Sequence, residues 1–255
     1  MTVDSGVPLV ITGERTVPGV WHENYWFRRH EAAYAALPDW LPTVPGVVLD
    51  AGCGEGYGAA LLRAAWPGVR VVGVDYDPVA TAHAARTHGG GQAAYLRAGL
   101  TALPLGDGVA DLTVSLQVLE HLWTPGEYVG ELTRVTADGG ALLLTTPNRL
   151  TFSPGLGHLE APSNAYHSRE YDVEELEAEL RSWLPGCTVR VVGLHHRERL
   201  RDWEALHGLL ADHLLAPPQD WSNPVRDVVA SSTAADFVVG AADEGCLDLV
   251  AVVRR

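Results

Sequence analysis

Residues Val47 to Gly58 read V-V-L-D-A-G-C-G-E-G-Y-G. An apolar, β-branched run gives way to a glycine-punctuated turn, and an Ala/Leu-rich segment follows at 57–66. That order predicts a buried strand, a tight turn and the start of a helix. Glycines in such a turn let the backbone take positive φ and approach a ligand closely. Read from Gly54 the loop satisfies G-x-G-x-x-A, the dinucleotide pattern; read from Gly52 it is G-x-G-x-G. Asp50 argues against a pyrophosphate, because its charge ends the strand beneath the loop. A ligand with a cationic amine and sulfonium tolerates that acid. Asp50, Gly52 and Gly54 are therefore the first candidate cofactor residues.

The alternation continues outward. Apolar runs at 46–50, 70–75, 94–97, 111–115 and 141–146 are separated by helical segments near 57–66, 78–87 and 125–136. Short, continuously apolar strands between helices predict a parallel sheet buried on both faces. Asp138-Gly-Gly140 reads as the turn that ends the third of these helices. An earlier helix is expected over 24–37, stopped by Pro38. Asp75 ends the second strand, 23 residues past Gly52, where an acid accepts hydrogen bonds from a ribose diol. Tyr76 beside it suits an adenine face.

After residue 147 the pattern changes. Residues 148–167 have no clear period and are rich in Pro, Gly, Ser and His, as expected of a lid or binding loop. A helix over 172–183 and a strand over 188–193 follow. A helical cap insertion is read at 197–240, then a closing strand over 246–253. No second core or internal repeat is evident, so 1–255 is read as one domain, with its core in 40–148, 168–196 and 246–255.

With 47% hydrophobic residues, disorder is not the default expectation. The net charge is −14 and all 18 basic residues are Arg, a lysine-free composition that matches the coding bias of a GC-rich bacterium. The acidic balance disfavours a nucleic acid partner, since phosphate backbones are bound by neutralising cations. Cys53, Cys187 and Cys246 form no spaced framework, which fits a reducing compartment. With no leader pattern and no apolar stretch near membrane-spanning length, a cytoplasmic location without a membrane span is expected. Homo-oligomerisation is left open.

The segment V-L-D-A-G-C-G-E-G-Y-G resembles motif I of the class I S-adenosylmethionine (SAM) methyltransferases, and V-G-V-D-Y-D their ribose-binding acid. Residues 102–115 and 132–148 resemble later motifs of that superfamily, so the likeness spans 46–148. It implies SAM as cofactor, S-adenosylhomocysteine as product, and a Rossmann-like α/β fold. The implied sheet is seven-stranded and mostly parallel, with helices on both faces, its last strand antiparallel and the cap before that strand. Many relatives carry Asp where this chain has Gly99, so adenine contact is expected from backbone near Leu100. Residues 11–18, 23–30, 146–155 and 199–208 resemble actinobacterial sugar O-methyltransferases associated with methylglucose- and methylmannose-type polysaccharides. By that analogy Tyr25 and Arg29 close over the cofactor, and a helix covering a sheet edge explains them equally well.

The stretch 115–122, S-L-Q-V-L-E-H-L, places an acid and an imidazole at the exit of a buried strand, where ligands bind in such folds. If a helical turn begins at Gln117, then Gln117, Glu120 and His121 share one face. The segment resembles the E-x-x-E-H element of metal-assisted O-methyltransferases, with Gln117 in place of its first acid. That resemblance implies a further distant His, for which His167 in N-A-Y-H-S-R-E is the counterpart. Gln117, Glu120, His121 and His167 are thus the candidate metal ligands, for Mg²⁺ or Mn²⁺. Glu120, His121 and His167 are the candidate catalytic residues.

Two other roles stay open for these side chains: metal-free acid–base catalysis by a histidine, and simple positioning of acceptor hydroxyls. The acceptor is expected to be an oligosaccharide, with a small phenol, quinone or other secondary metabolite as the metal-independent alternative. A non-catalytic SAM-binding sensor is the alternative of another class. Trp203 and Trp221 are candidate sugar platforms, His158 a candidate acceptor contact, and His195-His196 exposed edge residues. His83 and His88 read as surface residues.

Overall fold

The computed structural model describes residues 15–41, 43–158 and 160–255. The motif over 11–18 therefore falls partly outside the described residues. In chain order the elements are α1 (Asn24–Ala35), β1 (Val47–Ala51), α2 (Tyr57–Ala65), β2 (Arg70–Asp75) and α3 (Pro78–Thr87). Then come β3 (Ala93–Arg97), β4 (Ala110–Leu116), α4 (Pro125–Val135), β5 (Thr136–Pro147), α5 (Arg149–Phe152) and α6 (Val173–Trp183). The chain ends with β6 (Thr188–His196), α7 (Glu198–His207), α8 (Leu210–Leu214), α9 (Asn223–Ser231), β7 (Phe237–Ala241) and β8 (Asp248–Arg254).

One sheet holds all the named strands, in the order β3-β2-β1-β4-β5-β8-β6-β7. Its first five strands pair in parallel, while β8 runs antiparallel to both β5 and β6, and β7 antiparallel to β6. The expected seven strands with one reversal are corrected to eight with two. The extra strand, F-V-V-G-A, lies inside the stretch assigned to the cap. It is a short, half-buried edge, and its pairing lengthens β6 to include His195 and His196.

Side-chain alternation builds two cores on one sheet. Val48, Leu112, Leu143 and Val250 face a layer that includes α1, α2 and α9. Leu49, Leu142, Leu144 and Leu249 face the layer of α4 and α6. Successive strand residues point to opposite faces, so a continuously apolar strand feeds both layers.

The helix starts are written locally. Asp77 accepts from Val79 N at the start of α3, with Pro78 in the first turn. Asp172 and Glu175 form a reciprocal capping box on α6, whose Leu176 and Leu180 are buried. Pro38 does not stop α1. The helix ends at Ala35, and Pro38 sits within a 3-10 turn over Leu37–Trp40. Asp138-Gly-Gly140 likewise does not end α4, which stops at Val135. These residues form an irregularity in β5, where pairing with β4 jumps from Ala110↔Thr136 to Leu112↔Ala141.

The strand order reverses between β1 and β4, and both strands end on the same side of the sheet. A crevice outside the carboxyl ends at this switch point is where such sheets bind ligands. The glycine loop after β1 and the 117–121 segment after β4 flank it.

Candidate active site

The glycine loop is pinned from β2. Gly52 N and Cys53 N both donate to Val74 O, at 2.8 and 3.0 Å. The Asp75 carboxylate accepts from Gly54 N and from Asp77 N, each at 2.9 Å. Asp75 therefore shapes the loop as well as standing where a ribose would be met. Gly52 has φ +78, and a Cβ there would drive into Val118. Any other residue would strain the loop and collide with the segment leading to Glu120. Leu100 is 9% exposed. Tyr76 stands out at 71%, available to a ligand.

Asp50 lies beneath the loop rather than in the cleft. It is buried, and Tyr34 donates to its Oδ1 at 3.2 Å. Its Oδ2 has no hydrogen-bond partner and faces Gly58, where a Cβ would collide with it and with Tyr34. Burial raises its carboxyl from the usual 3.8 to about 7, offset in part by the Tyr34 hydrogen bond. Electrostatic repulsion of a pyrophosphate is thus weaker than the bare sequence implies. A carboxyl raised on folding contributes stability that is complete below its unfolded pKa and lost as pH rises through about 7. Asp50→Asn is expected to remove a loss on the order of 2–4 kcal/mol between pH 5 and pH 8. Urea midpoints at the two pH values measure it, and an unchanged pH slope would contradict this account of Asp50.

At the end of β4 the chain does not enter a helix at Gln117. Gln117 takes φ +54, unusual for a residue with a side chain, and a 3-10 turn follows over Leu119–His121. The expected shared helical face is corrected accordingly. The Gln117 backbone N–H bonds to Thr145 O, and its side-chain Nε2 donates to Thr145 Oγ1 and Asp248 Oδ1, both at 3.1 Å. These contacts hold the left-handed backbone in place.

Glu120, His121 and His167 come together. One ligand atom of each lies within 4.8 Å of the others. The loop reaches the turn because Ser168 N and Ser168 Oγ both donate to Glu120 O, at 2.7 and 2.9 Å. Glu120 is 1% exposed, and Thr146 donates to its Oε2 at 3.0 Å. Burial raises its carboxyl above the usual value, opposed by the two neighbouring imidazoles. His121 Nδ1 is 3.1 Å from Tyr166 O, and His167 Nδ1 is 2.6 Å from the buried carboxylate of Glu170. An imidazole whose Nδ1–H is taken by a carbonyl or carboxylate offers Nε2 as its ligand or base atom. His167 Nε2 sits 3.0 Å from Asn164 Nδ2.

These residues line a cavity of about 380 Å³ that also meets Trp26, Arg29, Phe152 and Tyr166. Arg29 is buried, held by Asp248 at 2.9 and 2.5 Å, and its guanidinium also lies 4.7 and 4.9 Å from the centroids of the neighbouring Trp26 and Phe152 rings. His30 lines the same cavity, and burial with Arg29 nearby lowers its imidazole to about 3, so it stays neutral.

Several of the candidate residues have partners elsewhere in the structure. Tyr25 has no accessible surface and bonds to His196 Nε2 at 2.7 Å, so it belongs to the core beneath the cap. His196 is buried rather than exposed, with Nδ1 3.0 Å from Glu204. Trp221 is 7% exposed with its indole N–H bonded to Ala216 O, which makes it a packing residue. Trp203 packs against His207 and His213. His158 does not line the cavity. Missed were Glu170, Asp248 and Arg15, which pairs with Asp77 at 2.8 Å beside the glycine loop. Asp248 had a readable signal, as a lone acid within an apolar strand. Glu170 had one too, three residues after His167.

A family described as a methyltransferase domain matches residues 49–144. The chain is 39% identical to a probable S-adenosylmethionine-dependent methyltransferase of Mycobacterium tuberculosis H37Rv, covering 97% of this chain and 90% of that one. A counterpart from Mycolicibacterium smegmatis is also 39% identical, covering 99% and 98%. The chain belongs to the SAM-dependent methyltransferases, and SAM is its cofactor. Among solved structures it resembles a SAM-dependent methyltransferase of Thermotoga maritima, described as a possible histamine N-methyltransferase. That likeness has TM-score 0.61 and 17% identity, covering 92% and 93% of the two chains. It also resembles the cyclase SpnF, with TM-score 0.54 and 19% identity over 89% and 81%. At these identities the likeness concerns the fold alone, and the acceptor has to be argued from the site. Among the described residues no helix is long and apolar enough to cross a membrane.

Proposed function

We propose that this methyltransferase acts on a hydroxyl of a saccharide acceptor, assisted by a divalent cation held by Glu120, His121 and His167. The observation that carries this reading is the convergence of those three ligands in the cavity, each oriented from behind by Thr146, Tyr166 O or Glu170. The donor set fits a cation, because a carboxylate 1% exposed is costly to ionise without one. Two imidazoles and a carboxylate suit Mn²⁺ or another transition ion better than Mg²⁺. When bound, the cation supplies a Lewis acid that eases loss of the acceptor's hydroxyl proton, and SAM supplies an electrophilic methyl group.

The chain's own residues do the rest. Gln117 and Ser168 fix the turn that presents Glu120 and His121, while half-buried Trp26 and Phe152 line the cavity. Polar Ser163 and Asn164 beside aromatic Trp26 and Tyr166 suit a pyranose, which has hydroxyl edges and apolar faces. A second reading is metal-free. His167, backed by buried Glu170 at 2.6 Å, has the geometry of a general base with its orienting acid.

The acceptor class is tested by incubating the protein with methyl-labelled SAM and gluco- and manno-oligosaccharides, with simple phenols alongside. Label on a glycan hydroxyl supports the saccharide reading. Label confined to phenols rejects it.

A further inference from the structure

A second cluster of histidines and a buried acid lies on the other side of the glycine loop. Glu55 stands between Gly54 and Gly56 and is 4% exposed. His83 on α3 and His88 at its carboxyl end approach it. His83 Nε2 is 3.2 Å from Glu55 Oε2, and His88 Nε2 is 4.0 Å from Oε1. Oε1 is buried without a hydrogen-bond partner. An orphaned buried oxygen facing an imidazole needs an explanation, and an ion is one.

Donors each about 2.0–2.2 Å from one ion lie no more than roughly 4.4 Å apart. His83 meets that limit through Oε2 and His88 through Oε1, while the three ligand atoms do not all lie within 4.8 Å of one another, so the site has to contract around an ion. Burial raises the Glu55 carboxyl to about 7, opposed by Arg15, and lowers both imidazoles, that of His83 further through Arg86 and that of His88 through His83. The low imidazole values favour neutral rings, which is the form that binds metal, and a cation would stabilise the ionised carboxylate between them.

We propose that Glu55, His83 and His88 form a divalent-cation site of their own, taking a Zn²⁺-type ion, separate from the cluster at Glu120. Two imidazoles and one carboxylate match the nitrogen and oxygen preferences of such an ion, whereas Mg²⁺ prefers oxygen ligands in an octahedron. Binding draws together the two imidazoles, whose side chains are 26% and 21% exposed, and replaces the contact of His83 Nε2 with Thr87 Oγ1 at 3.3 Å. It ties α3 to the loop that contains Gly54 and Gly56. The ion and SAM are therefore coupled, each tightening binding of the other.

The test is a Zn²⁺ titration of metal-free protein against a chromophoric chelator. It compares wild type, His83→Ala/His88→Ala and Glu120→Gln/His121→Ala. The expected result is loss of one tight equivalent in the His83/His88 variant, whether or not the Glu120/His121 pair is intact. The rise in Tm that Zn²⁺ gives the Glu120/His121 variant should vanish when the His83/His88 changes are added. Glu55→Gln, which keeps the shape of the side chain, must show the same loss. Unchanged stoichiometry and affinity in both the His83/His88 and Glu55 variants would overturn the site. So would loss of the only equivalent in the Glu120/His121 variant, which would place the ion at the acceptor cavity.

Discussion

Glu120→Gln is expected to lower turnover by about 10³-fold while leaving SAM affinity within about threefold, because under the proposed metal-assisted reaction it would remove cation charge stabilisation worth several kcal/mol but touches no part of the glycine loop. Glutamine is nearly isosteric and still accepts from Thr146, so the buried shape persists. Burial raises the Glu120 carboxyl, which means that ionising it weighs against folding as pH rises through its folded pKa. The variant should consequently be at least as stable as wild type at pH 8, and lost activity will not reflect unfolding. Calorimetry with S-adenosylhomocysteine and thermal melts separate the two effects. Turnover within threefold of wild type would remove Glu120 from the chemistry.

The second large effect concerns the buried pair behind the cavity. Asp248→Ala is expected to destabilise the protein by about 3–5 kcal/mol, since it leaves the Arg29 guanidinium uncompensated in the core. Arg29 and Asp248 are 2% and 3% exposed and share two hydrogen bonds. Asp248 also accepts from Gln117, so the loss should extend to the left-handed residue that sets up the Glu120 turn. Removing both charges with Arg29→Met/Asp248→Asn should recover most of the stability. A neutral pair carries no buried charge, and the amide oxygen introduced at position 248 can still accept from Gln117. Urea denaturation of the two variants reads this directly. Equal destabilisation of both would mean that packing, not charge pairing, holds the site.

The parts of the molecule that repeat a local rule were legible in the sequence. Strands β1 to β4, the glycine turn and helices α2, α3 and α6 follow from period, caps and turn residues, all encoded within a few neighbours. What the sequence hid depends on distant pairing. The run F-V-V-G-A becomes β7 only because β6 extends to meet it, and His195 and His196 change from edge residues to paired strand residues with it. Pro38 and Asp138-Gly-Gly140 look like stops in isolation. Tertiary contacts instead place them in a 3-10 turn and a bulged strand.

The site divides in the same way. Asp75, Glu120 and His121 are marked by position, as polar groups at the exits of apolar strands. His167 was reached through a resemblance, and only the Ser168 clasp shows how a loop 46 residues beyond His121 arrives there. For Gln117 the expected helical turn is what failed: it takes a positive φ, yet it still lines the cavity with Glu120, His121 and His167. Tyr25 was left open, because an aromatic on an N-terminal helix fits a lid and a core equally well. Its bond to His196, 171 residues away, decides for the core.

The central proposal is that Glu120, His121 and His167 hold a divalent cation. Its most direct test is methyl transfer to a saccharide acceptor from labelled SAM by protein stripped with EDTA, then supplied with Mn²⁺. The prediction is loss of transfer in chelator with SAM binding retained, and recovery on adding metal. Full transfer in thorough EDTA would contradict it and leave His167 with Glu170 as the base.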